Sequence, residues 1–162
     1  MNYNKAIRLS LFKSFKPIDL LGERFTFGHR LALVNAVQND SPFEVMRLCI
    51  EVLHEIKVKP CHIRKLFNYF QDILEKLQQW CEREKLLHYE PTTEEKQAGI
   101  KELGDILKEF GQVDAIATRM HISHDEALQL PYSTVFMILR KDLEQSKFEW
   151  RLQKVYERKW KN

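Results

Sequence analysis

One stretch of this chain constrains its fold more than any other. Between Ile63 and Leu87 the apolar residues Leu66, Phe67, Phe70, Ile73, Leu74, Leu77, Trp80 and Cys81 recur at intervals of three and four. An α-helix of 3.6 residues per turn puts such positions on one side, and this one lasts about seven turns. A strand would require alternation, which is absent here. The middle of the chain is therefore a long amphipathic helix, and its apolar face demands neighbours.

Those neighbours are written in the same period. Phe27, Leu31, Val34 and Val37 form a stripe ending at Asn39 and Asp40. Ser41, Pro42 and Glu44 then read as a helix start, with a hydroxyl cap, a proline at the first helical position and a capping-box glutamate. That helix carries Val45, Met46, Cys49, Val52, Leu53 and Ile56 and stops before Pro60. Tyr89-Glu90-Pro91 is the main break. Thr92 with Glu95 reopens a helix through Ile100, Leu103, Ile106, Leu107 and Phe110, which closes at Gly111, since glycine commonly follows a helix end. A short element with Val113, Ile116, Ala117 and Met120 follows. Ser123 with Glu126 then caps a brief helix ending at Leu130-Pro131, and a long helix occupies 131–160.

The first 22 residues behave differently. Ile7, Leu9 and Leu11 alternate with Arg8, Ser10 and Phe12, a period of two that suits a short extended or β-like arm, interrupted by Pro17 and ended by Gly22. An isolated strand is marginal, so the arm must lie on the helices or pair with another chain. The expectation is an all-α, compact multi-helix single domain over 1–162: arm 1–22, helical body 23–130, long C-terminal helix 131–160, with six or seven helices in all. A chain of 162 residues fits one domain, and 44% hydrophobic with 30% charged residues is too apolar for disorder.

The charge of +3 and pI near 8.7 are too mildly basic to demand a nucleic acid. Cys49, Cys61 and Cys81 are an odd set without paired spacing, which reads as reduced, buried thiols. No continuous apolar segment follows Lys5, and no run approaches the roughly 20 residues a bilayer requires. The expected location is cytoplasmic, with no membrane association.

Catalytic and metal chemistry find little support. Structural zinc takes four ligands in tight pairs, whereas these cysteines stand twelve and twenty positions apart. His121 and His124 bracket a capping serine and read as solvated loop residues. Glu94-Glu95 and Asp125-Glu126 sit in first helical turns, where negative charge complements the helix dipole. Gly-rich phosphate loops and a nucleophile elbow are both missing. The expectation is a non-enzyme without cofactor, metal or small-molecule substrate.

The final helix carries the most information. At 100° per residue, Tyr132, Val135, Phe136, Leu139, Leu143 and Trp150 share one face that can bury against the body. Met137, Ile138, Phe148, Leu152, Val155, Tyr156 and Trp160 share a second. One stripe suffices to dock a helix, so the second either makes this helix central to the core or meets a partner. Aromatic residues anchor interfaces, so Phe148, Leu152, Val155, Tyr156 and Trp160 are the candidate partner-binding residues, for a partner helix or self-association. The principal alternative is a small helical nucleic-acid-binding or regulatory protein, with a helix-turn-helix over Val113–Leu130. Against it, the acidic start His124-Asp125-Glu126 would repel phosphate, and Pro131 truncates the second helix.

The succession Pro91-Thr92-Thr93-Glu94-Glu95, Ala98-Gly99-Ile100, Phe110-Gly111, then Asp125-Glu126-Ala127 and Leu130-Pro131-Tyr132-Ser133-Thr134-Val135-Phe136 resembles phage and prophage tail assembly chaperones. The opening half, with Phe15-Lys16-Pro17-Ile18-Asp19-Leu20, is compatible with the same group. The resemblance implies function through contact, by binding a long, helical, aggregation-prone tape measure protein and keeping it soluble. It also implies that the aromatic C-terminal helix holds a partner helix and that Ile7–Leu11 serves self-association.

Overall fold

The computed structural model describes residues 18–39, 41–54, 57–58 and 63–160. Among them the protein is entirely α-helical, apart from a 3-10 turn at Lys85–Leu87 and an isolated antiparallel bridge between Thr26 and Pro131. The helices are α1 (Phe27–Val37), α2 (Pro42–His54), α3 (Ile63–Glu84), α4 (Thr93–Gln97), α5 (Ile100–Met120), α6 (His124–Gln129) and α7 (Tyr132–Trp160).

Local chemistry sets most of the starts. Thr92 and Ser123 each accept the N3 backbone N–H while Glu95 and Glu126 return to the cap, so two of the three expected capping boxes form, whereas Glu44, foreseen for the third at Ser41, pairs with Arg47. Pro42 opens α2, with the Ser41 carbonyl accepting from the Val45 N–H at 2.9 Å. α1 begins with a capping box in which histidine replaces the usual glutamate: His29 Nδ1 accepts from the Thr26 N–H at 3.2 Å, and Thr26 Oγ1 accepts from the His29 N–H at 3.3 Å.

The region after Tyr89 departs from the expectation. The helix foreseen from Thr92 to Phe110 is broken at Gly99, whose φ of +83° is left-handed backbone that glycine adopts without strain. Gly111 ends nothing, and α5 continues to Met120. The residues beyond Gly111 reward staying helical, because Val113, Ile116 and Ala117 pack in the core. The left-handed C-cap falls at His121 (φ 54°), whose N–H reaches the Ala117 and Thr118 carbonyls.

A continuous core runs from Ile18 to Phe136 through Leu20, Phe25, Phe27, Leu33, Cys49, Ile50, Ile73, Trp80, Ile116 and Val135. Trp80 stands at its centre. The indole Nε1–H donates to the Leu20 carbonyl at 2.7 Å, and the ring meets Tyr132 and Phe136 edge-on at 4.8 and 5.6 Å. Phe27 N–H donates to the Leu130 carbonyl (2.9 Å) and Tyr132 N–H to the Phe25 carbonyl (2.8 Å), tying the start of α7 to the start of α1.

The alternating Ile7–Leu11 segment and Cys61 lie outside the described residues. The end of the expected arm is described and belongs to the core, with Ile18 and Leu20 buried and Ile18 N–H donating to Tyr69 Oη at 3.2 Å. Periodicity also overstated burial on α3: Phe67, Leu74 and Cys81 are exposed, since the stripe is wider than the elements laid against it. Of the two described cysteines, only Cys49 is buried.

Candidate protein-binding surface

α7 begins inside the protein and ends outside it. Tyr132, Val135 and Phe136 are buried in its first two turns, and Ile138 and Leu139 still pack against the core. Beyond them the body gives out, while the helix runs on for about 30 Å at 1.5 Å per residue. From Phe148 to Trp160 no residue is buried, and all but Glu157 count as exposed. Trp150 corrects the wheel reading: it continues the row that faces the body, yet is 54% exposed because nothing is left there to cover it.

The five candidate residues are all open to solvent: Phe148 at 56%, Leu152 at 37%, Val155 at 46%, Tyr156 at 53% and Trp160 at 89%. Phe148, Leu152 and Val155 follow one another at steps of four and three and form a seam, with Tyr156 and Trp160 along its side. Met137 is exposed, but Ile138 turns back towards the core. A fully buried crossing helix, the competing expectation, does not occur: only the first turns of α7 are buried.

Charged groups surround the seam unevenly. Lys147 pairs with Glu144 at 3.2 Å, Lys154 with Glu157 at 3.3 Å, and Asp142 with Arg119 of α5. Among the described residues, Arg140, Lys141, Arg151, Arg158 and Lys159 make no ion pair. The carboxylates of α7 are thus mostly engaged within the chain, and basic groups are left over.

A second exposed apolar surface escaped the sequence reading. On the first half of α5, Leu103, Ile106 and Phe110 are all more than half exposed. Their spacing gives a stripe, but periodicity does not say whether another element lies on it. Beside α5 an open groove of about 580 Å³ is lined by Phe27, Arg30, Glu84, Leu87, Gly104 and Tyr132, among others. Three of its polar lining groups bond one another, while Glu109 and Gln112 also line it: Arg30 Nε and Nη2 donate to the Glu84 carboxylate at 2.7 and 2.5 Å, and Tyr132 Oη donates to it at 2.5 Å. Burial, followed by the adjacent carboxylate, pushes the Tyr132 phenol well above its ordinary pKa. This node joins α1, α3 and α7.

The residues raised for other chemistries are scattered. His121 and His124 are exposed, and His124 Nε2 lies 3.0 Å from Asp114 Oδ1 with its ring edge-on to Phe110. Among the described residues no three His, Cys, Asp or Glu side chains gather as a metal site, and no helix is long and apolar enough to cross a membrane. The α5–α6 pair that suggested a helix-turn-helix has a second helix of only six residues. At its exposed entry, the Ser123 backbone and hydroxyl hold the Glu126 carboxyl below its usual range. No protein-family model, curated protein or solved structure matches the chain.

Proposed function

We propose that this chain binds another protein along the distal half of α7 and performs no catalysis. In this reading it is similar in task to a tail assembly chaperone, which holds an amphipathic, helical partner such as a tape measure protein in solution. The observation that carries the proposal is the exposure of Phe148, Leu152, Val155, Tyr156 and Trp160 on a helix that has outrun its own body. Large apolar groups concentrated beyond the core cost solubility and gain nothing for the fold, whereas a partner helix laid in the seam covers them together.

The magnitudes favour a reversible grip. Covering five half-exposed side chains removes on the order of 400 Å² from water, or roughly 10 kcal/mol gross at about 25 cal/mol per Å². Association costs are themselves about 4–15 kcal/mol, so the seam alone gives a modest net affinity. A chaperone that must later release its partner needs no more.

The test is the pair Leu152→Asp and Tyr156→Asp, with a phage tape measure segment as client. Wild-type protein is expected to suppress the client's light scattering, and the double variant to lose that effect at unchanged circular dichroism. A variant that protects the client equally well refutes the reading. So does one that unfolds, because the seam then belongs to the core.

A further inference from the structure

We infer that the partner of α7 is an acidic amphipathic helix, with carboxylates at seven-residue spacing along one edge of its apolar stripe. The inference rests on the protein-binding reading of α7 and adds to it the chemistry and register of the partner.

It follows from where the unpaired cations stand. Arg151 and Arg158 are seven residues apart, and Arg140 precedes Arg151 by eleven. At 100° per residue both steps return to within about 20° of the same direction, so the three arginines form one row about 27 Å long. That row borders the Phe148–Leu152–Val155 seam on one side, where Glu144, paired with Lys147, stands between Arg140 and Arg151, and the unpaired Lys141 and Lys159 lie at the two ends of the seam itself. Along the opposite border stand Asp142, already bonded to Arg119, and Glu149, which accepts from the Gln145 amide at 2.9 Å. A helix lying in the seam therefore meets the unpaired guanidinium groups along one edge, and along the other Tyr156 and Trp160 with carboxylates already engaged within the chain. Arginine suits the role because its planar fork matches a carboxylate in two bonds.

The same pattern disfavours the other occupants. A second copy laid antiparallel with the seams overlapped sets Arg151 against itself at the centre, although Glu144 then faces Arg158, and an in-register parallel copy opposes Glu144 to Glu149 across the seam and gives Arg151 only a tyrosine. Like charges so placed oppose association. A helix lying on an anionic membrane gains from cations on both borders of its apolar face, and here one border is acidic. Duplex DNA would use the arginines but leave Phe148, Leu152 and Val155 in water.

The experiment uses the full chain and three synthetic amphipathic helices of about four heptads with identical leucine stripes. They differ only at one edge position per heptad, which carries Glu, Gln or Lys, and binding is read by fluorescence anisotropy. The Glu peptide is expected to bind about tenfold more tightly than the Gln peptide, as for two partly exposed charge pairs, with the difference shrinking in high salt. Arg151→Glu with Arg158→Glu should reverse the order in favour of the Lys peptide. Equal binding of all three peptides overturns the acidic-partner inference; if Leu152→Asp with Tyr156→Asp then abolishes that binding, the protein-binding reading survives. Absence of binding by every peptide overturns the inference, as does preferential binding to duplex DNA or to phosphatidylserine–phosphatidylcholine vesicles.

Discussion

Ending the chain after Lys147 tests whether α7 is two things joined, a core element and an overhang. The deletion removes every helical residue from Phe148 to Trp160, none of which is buried. The last residue of α7 that packs on the core is Leu139, so at least two turns of helix stay between the core contact and the cut. Changes at surface positions stay within about 0.5 kcal/mol, and losing a few intrahelical charge pairs adds a few tenths each. The expected stability change is below about 1 kcal/mol, or less than roughly 4 °C in Tm for a chain of this size. The truncated protein also keeps a single tryptophan, Trp80, which is 2% exposed and reports on the core. Urea titration followed at 222 nm and by Trp80 emission should therefore give a nearly unchanged midpoint and a blue-shifted native spectrum, with less total ellipticity. A loss of about 2 kcal/mol or more, or a red-shifted Trp80 in the native state, would refute the overhang: the end of α7 would then be covered by the protein itself.

The node beside the groove makes a second prediction. Glu84→Ala leaves Arg30, whose side chain is only 12% exposed, without its bidentate partner, and should cost about 2–3 kcal/mol in urea unfolding. Tyr132→Phe should cost about 1 kcal/mol. Because both changes act on one carboxylate, the double variant should lose less than the sum, and strict additivity would show that the node is not a coupled unit. The cysteines separate by burial. In a Cys61→Ser background, Cys81 should react with a thiol reagent in the native protein at pH 8, while Cys49, pushed up to about 11 by burial, should react only on unfolding. Equal rates would show that the Cys49 site opens to solvent.

Helix existence was legible wherever short-range chemistry decides it. Thr92, Ser123 and Pro42 mark helix starts by groups within three residues of themselves, and all three starts are found where the spacing puts them. Glycine misled in the same region, because Gly99 and Gly111 look equivalent in sequence. Gly99 takes left-handed backbone, whereas Gly111 stays helical because Val113 and Ile116 downstream have a core to enter. That difference comes from the rest of the fold. Of the candidate surface, the residue types and their sharing of one face of α7 were readable, but their exposure was not.

The sequence by itself determined that this protein is helical, where two of its capping boxes lie and which side chains share a face, because each depends on neighbours within about one turn. The tertiary structure alone decided which faces are covered. Trp150 and Tyr132 lie on the same side of one helix, yet one is exposed and the other buried in the aromatic cluster around Trp80. Burial requires another element to arrive from far along the chain, and the body of this protein ends before its last helix does.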